Sequence, residues 1–176
     1  MSARRLACLA PLLPALGQSL SDSPRAGLPA LSGHAVTPES EARYAAVAER
    51  VLGLPWVLEV GCPDLDGTRR VSESVGDTLT VLDPRLTLKQ INGFLWRWPK
   101  MELKEHDLLE APLPTYDAVY QVDQPAPSAQ LLTHIAASLG PAGLYVLTPP
   151  RPAPYAQYFH VVEETDAAVV CRGPRR

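Results

Sequence analysis

Cysteine is scarce in this chain, and the little there is forms no pattern. Cys8, Cys62 and Cys171 are the only thiols among 176 residues. Their scatter gives neither a disulfide framework nor a metal-ligand spacing. A reducing compartment is the plain implication, so a cytoplasmic protein is expected. His106, His134 and His160 are equally scattered, and no metal is expected. Basic charge is also short: 16 Lys and Arg stand against 19 Asp and Glu, for a net charge of −3. That speaks against a nucleic-acid binder, although a nucleic acid remains open as a substrate. No apolar run is long enough to span a membrane as a helix, and no internal repeat is visible.

What is present is ordinary for one buried core. Apolar residues make up 46% of the chain and charged residues 20%; the length points to a single domain. The 19 prolines indicate that part of the chain is irregular. Residues 1–36 hold few charges and several Pro, Gly and Ser residues, and read as a short helix followed by a linker from about Gly17 to Val36. Arg4 and Arg5 precede the apolar stretch Leu6–Leu16, a pattern resembling a signal peptide. Two prolines interrupt it, and the reading adopted is a short amphipathic segment packing on the domain. Residues 1–36 are therefore an extension, and 37–176 the folded domain.

Regular organisation begins at Thr37-Pro38-Glu39, which suits a helix start: a capping hydroxyl, proline at the first position, and acids at the positive end of the dipole. Tyr44, Val47, Val51 and Leu54 share one helical face. Trp56–Val60 is a buried strand that stops at Gly61. Asp64–Val75 is helical, Thr78–Leu82 a second strand, and Leu88, Ile91, Leu95 and Trp98 the apolar face of a further helix. Met101–His106 and Tyr116–Val122 are strands. Ser128 caps a helix carrying Leu131, Leu132, Ile135 and Leu139, which ends at Gly140-Pro141. Gly143–Leu147 is a fifth strand. Tyr158–Val162 and Ala168–Cys171 flank a polar turn and form a hairpin. Strand and helix in alternation imply a parallel sheet covered on both faces. The fold expected is α/β, Rossmann-like and doubly wound: a mostly parallel sheet of about seven strands with a C-terminal antiparallel hairpin.

In an open α/β sheet, ligands bind beyond the carboxyl ends of the strands. The residues found there are Gly61-Cys62-Pro63, Asp83-Pro84-Arg85, Asp107-Leu108 and Val122-Asp123-Gln124. Glu59-Val60-Gly61-Cys62 resembles the opening of the first motif of class I S-adenosylmethionine (SAM)-dependent methyltransferases. Asp83, His106-Asp107-Leu108, Tyr116–Val119 and Leu131–Leu144 resemble the segments that follow in that family, in order. The resemblance covers roughly residues 40–172. It implies SAM as the cofactor, with contacts at Glu59, Gly61, Cys62, Asp83, Pro84, Asp107, Leu108 and Val122. Asp83 would accept hydrogen bonds from the ribose diol, and Asp107 one from the adenine amine. A glycine at Gly61 lets backbone approach a ligand closely.

The chain departs from the family pattern where Pro63 and Leu65 replace further glycines. Proline has no N–H to donate, and a leucine side chain there is expected to fill the space of the methionine part of SAM. After the fourth strand, Val122-Asp123-Gln124-Pro125 matches no acceptor motif of amino methyltransferases. Two functions follow. One is a SAM-dependent methyltransferase of unidentified acceptor, working by proximity and alignment without a conspicuous catalytic residue. The other is an inactive relative that acts as an interaction or regulatory subunit, as a homo-oligomer or with a partner protein. A dinucleotide-dependent oxidoreductase is a weaker third reading, because the G-x-G-x-x-G spacing is missing. Trp98, Tyr155 and Tyr158 are expected to pack the fold, and Cys62 has no neighbouring base that would make it a nucleophile.

Overall fold

The start of the folded domain follows from its capping chemistry. In a computed structural model, which describes residues 37–88, 91–92, 98–105, 109 and 114–175, the Thr37 hydroxyl accepts the Ser40 N–H at 3.1 Å. Helix α1 then runs Pro38–Arg50. The Asp64 carboxylate caps α2, Leu65–Ser74, by accepting the N–H groups of Asp66 and Gly67. The Ser128 hydroxyl does the same for α3, Ala129–Ser138. Each such cap contributes about 1 kcal/mol.

The strands are β1 (Trp56–Val60), β2 (Thr78–Leu82), β3 (Met101–Lys104), β4 (Tyr116–Val122), β5 (Leu139–Thr148), β6 (Phe159–Glu164) and β7 (Val169–Pro174). A four-residue helix α4, Tyr155–Tyr158, precedes β6. The strands form one sheet in the order β3-β2-β1-β4-β5-β7-β6. The first five are parallel to one another, while β7 is antiparallel to both β5 and β6. The chain thus has the expected Rossmann-like, mostly parallel seven-stranded sheet with a closing hairpin. Strand order reverses between β1 and β4, which places the ligand crevice at their carboxyl ends.

Side-chain alternation divides the core between the two faces of the sheet. Val57, Leu79, Val81, Ala118 and Tyr120 point to the face covered by α1 and α2. Leu58, Val60, Leu82, Val119 and Leu147 point to the other, where α3 packs. On that second face Tyr145 lies against Phe159, with ring centroids 5.3 Å apart. Tyr155 is buried beside them, in the packing role expected of it. On the first face α1 and α2 meet at Gly67. A Cβ there would come within 2.3 Å of the Tyr44 ring, so only glycine allows this approach. Gly67→Ala is expected to lower stability by about 1–3 kcal/mol through overpacking, read from the midpoint of urea denaturation.

Several boundaries differ from the sequence reading. Strand β3 ends at Lys104 rather than at position 106. Strand β5 begins directly at Leu139, where a register break between Tyr116 and Ala118 lets the chain leave α3 and enter the sheet without a separate turn. The hairpin is longer than expected, because pairing continues to Glu164 and Pro174. Leu88, expected on an apolar helix face, is 70% exposed, and Leu86 two residues earlier takes the buried place. Ile91 and Trp98 pack against the core as expected. The N-terminal extension, His106, Asp107, Leu108 and Leu95 lie outside the described residues.

Candidate functional site

A cleft of about 350 Å³ opens at the carboxyl ends of β1, β2 and β4, on the α3 side of the sheet. Val60, Gly61, Asp83, Pro84 and Arg85 form one wall, and Gln121, Gln124, Ser128 and Leu131 the other. Its volume lies at the lower end of the range for small-molecule sites. Gly61 has φ 73, a conformation that favours glycine, and its N–H donates to the Leu82 carbonyl at 2.8 Å. This turn carries the chain from β1 across the end of β2 and brings the Cys62 N–H to Asp83, at 2.7 Å.

Asp83 is the electrostatic centre of the cleft and is fully occupied by the protein itself. One carboxylate oxygen accepts the backbone N–H and the Nε–H of Arg85, both at 2.8 Å. The other accepts the Cys62 N–H and an Arg85 Nη2–H. A carboxylate offers about four acceptor sites, and all are used. Burial pushes the Asp83 carboxyl up, but the Arg85 side chain and the two backbone N–H groups outweigh it and hold it below its ordinary value. Gln124 fills the other half of the site. Its side-chain amide occupies the space over Gly61, where a Cβ would meet it at 2.6 Å, and its Nε2 donates to the Val122 carbonyl at 3.2 Å.

The residues singled out by sequence separate into two groups. Gly61, Asp83 and Pro84 line the cleft. Glu59, Cys62 and Val122 are completely buried, and their side chains lie beneath the cleft rather than in it. Alternation along β1 explains Glu59: Val60 faces the cleft side, so Glu59 faces α1. There it accepts hydrogen bonds from the hydroxyls of Tyr44 (3.1 Å) and Tyr120 (2.9 Å). Burial pushes the Glu59 carboxyl up to about 8, with the hydroxyls of Thr68, Tyr120 and Tyr44 offsetting part of that rise. The Thr68 hydroxyl proton goes to the Asp64 carbonyl at 2.9 Å, so the two tyrosines are the direct donors to Glu59. The Cys62 thiol lies 3.1 Å from the Thr68 hydroxyl, and burial raises it well above the ordinary thiol value. A thiol raised by burial is a poor nucleophile. Asp107 and Leu108 lie outside the described residues.

Contrary to expectation, Leu65 does not fill the cleft, and neither it nor Pro63 lines it. Leu65 is 1% exposed and belongs to the core under α1. The space over Gly61 is filled by Gln124, and the Asp83 carboxylate is engaged by Arg85. Sequence reading placed both residues just beyond strand ends but gave neither a role. The signal for Arg85 was present in its spacing, since a long cation two residues after Asp83, directly following Pro84, can fold back onto the carboxylate. Gln124 carried no comparable signal. Asp123, just beyond β4, adopts φ 52 and is paired with Arg43 of α1.

Among the described residues, no cluster of His, Cys, Asp or Glu could hold a metal ion, and no helix is long and apolar enough to cross a membrane. No protein-family model matches the chain, and no curated protein matches its sequence. Solved structures do match its fold. One is the N-methyltransferase NodS from Bradyrhizobium japonicum WM9 in complex with S-adenosyl-L-homocysteine (SAH), at 16% identity and a TM-score of 0.61, covering 79% of this chain and 88% of that one. Another is the 1,6-didemethyltoxoflavin-N1-methyltransferase of Burkholderia thailandensis, with 1,6-didemethyltoxoflavin and SAH bound, at 15% identity and a TM-score of 0.61, covering 78% of this chain and 79% of that one. The chain has the class I methyltransferase fold.

Proposed function

We propose that the chain is a SAM-dependent methyltransferase whose cofactor occupies the cleft over Gly61 and Asp83. The observation that carries this reading is the position of that cleft. It stands at the strand-order reversal, between a positive-φ glycine after β1 and a buried carboxylate after β2, in a fold shared with enzymes solved with SAH bound. SAM supplies an electrophilic methyl group on a sulfonium. Asp83 would hold the ribose hydroxyls once the Arg85 side chain, 47% exposed, swings into solvent. Gln124 would leave the space over Gly61 in the same event. Apolar Val60, Pro84 and Leu131 would flank the adenosine and exclude water. Catalysis would then rest on holding the acceptor in line with the methyl group.

Isothermal calorimetry with SAH tests this reading. Binding in the micromolar range is expected, with NMR shifts confined to the cleft residues. No heat at millimolar SAH overturns it.

A second reading, an inactive relative serving as an interaction or regulatory subunit, draws support from the same side chains. Arg85 saturates Asp83, Gln124 covers Gly61, and the Asp64 carboxylate already occupies the N-terminus of α2, where an anionic ligand group would otherwise gain from the helix dipole. That reading requires the absence of SAH binding.

A further inference from the structure

Gln121 is a polar residue in an apolar place. It stands near the end of β4, 3% exposed, with its side chain on the α3 face of the sheet. Val60 of β1 and Leu82 of β2 continue the same row across the neighbouring strands. The Tyr145 hydroxyl donates to Gln121 Oε1 at 2.7 Å. Tyr145 is itself fully buried, with Phe159 and Tyr155 at ring-centroid distances of 5.3 and 6.3 Å. Its hydroxyl proton has no other acceptor among the described residues. The amide oxygen of Gln121 must therefore face Tyr145, which turns the amide nitrogen away from it.

That nitrogen makes no hydrogen bond among the described residues. Yet every fully enclosed side-chain nitrogen or oxygen among them has a partner. Nε2 is therefore not enclosed: it reaches the cleft that Gln121 lines, where its N–H groups are free to donate. Tyr145 needs only an acceptor from this position, so the unmet donors are left over from the packing, and unmet donors in a buried side chain are costly. The surroundings are apolar. Val60 and Leu82 lie beside Gln121 in the floor, and Pro84, Leu109 and Leu131 also line the cleft. Asp83 closes β2, two strands from β4, or roughly 10 Å across the sheet. A nucleoside whose ribose sits on Asp83 can bring its base to Gln121.

We propose that Gln121 recognises the adenine base of the cofactor, its Nε2 donating to a ring nitrogen. This rests on the methyltransferase reading above. The ring nitrogens of adenine accept hydrogen bonds and its exocyclic amine donates them, so a group that offers N–H to the cleft takes a nitrogen of the ring. The base supplies the partner that the fold leaves out. The Tyr145 hydroxyl holds the amide in the donating orientation before the ligand arrives, so little ordering is left to be done on binding.

The test titrates the full chain by calorimetry with SAH and with its 1-deaza, 3-deaza and 7-deaza analogues, each of which replaces one ring nitrogen by C–H. One analogue is expected to bind about tenfold more weakly than SAH, the scale of one hydrogen bond. The double variant Gln121→Met, Tyr145→Phe removes the donor and its buried partner together. In it SAH is expected to weaken about tenfold and the gap to that analogue to close, whereas a purely structural Gln121 would leave the gap as it is. If the variant fails to fold, the wild-type chain still decides. Its Gln121 side-chain amide protons are expected to move downfield in NMR spectra with SAH and to stay in place with that analogue. SAH binding with no gap for any analogue, with a gap that survives in the variant, or with unmoved Gln121 amide protons overturns the assignment and leaves the methyltransferase reading standing. No SAH binding overturns both.

Discussion

Glu59→Gln is expected to flatten the pH dependence of stability between about pH 4.5 and 8. In the folded chain burial pushes the Glu59 carboxyl up to about 8, against an ordinary value of 4.5. Between those limits the folded state keeps a proton that the unfolded state has released. Stability therefore falls as pH rises, by about 1.4 kcal/mol per pH unit from this site. Its contribution is fully present below pH 4.5 and exhausted above 8. Over the whole window the loss reaches several kcal/mol, a large share of a small domain's stability. Glutamine keeps the shape and stays neutral, and the Tyr44 and Tyr120 hydroxyls can rotate to satisfy it. Urea denaturation of both proteins at pH 5, 6, 7 and 8 gives the answer. Parallel profiles would show that Glu59 ionises in the folded core, and the prediction would fail.

Glu59 also shows how far the sequence could be read. The order of strands, the caps at Thr37, Asp64 and Ser128 and the glycine turn after β1 are local features, encoded in hydrophobic period and capping chemistry. They were legible, and the seven-stranded sheet follows from them. Glu59 was placed in the cofactor site because Glu59-Val60-Gly61-Cys62 resembles the opening of a cofactor-binding motif. Its true surroundings depend on which sheet face α1 covers, and strand alternation alone leaves that face unspecified. Leu65 was misread for a similar reason. Near a glycine loop it suggests an obstructed ligand site, yet α2 turns it inward beneath α1. The actual occupants of the cleft, Arg85 and Gln124, reach it through side-chain conformations decided by tertiary neighbours.

Arg85→Ala is expected to lower the stability of the free protein and to raise its affinity for SAH. Asp83 has no exposed surface, so removing its cation leaves a buried carboxylate with only the backbone N–H groups of Cys62 and residue 85. Loss of hydrogen bonds to a buried charge costs about 1–3 kcal/mol. Half of the Arg85 side chain is in water, and solvent screening puts the cost toward the lower end. The acceptor sites it vacates are the ones a ribose diol would use. SAH then no longer has to break two charge-assisted bonds before making its own, and a saving of about 1.4 kcal/mol is tenfold in affinity. The two effects must mirror each other. If SAH satisfies Asp83, saturating SAH restores in the variant the thermal stability that the substitution removed. Calorimetry and thermal unfolding of the wild-type chain and Arg85→Ala, with and without SAH, measure both. Tighter binding with recovered stability identifies Arg85 as an occupant that the cofactor displaces. Weaker binding would instead make Arg85 part of the ligand's own cradle, and the displacement argument would be wrong. No binding in either protein would leave Arg85 as the structural partner of Asp83 and favour the inactive reading.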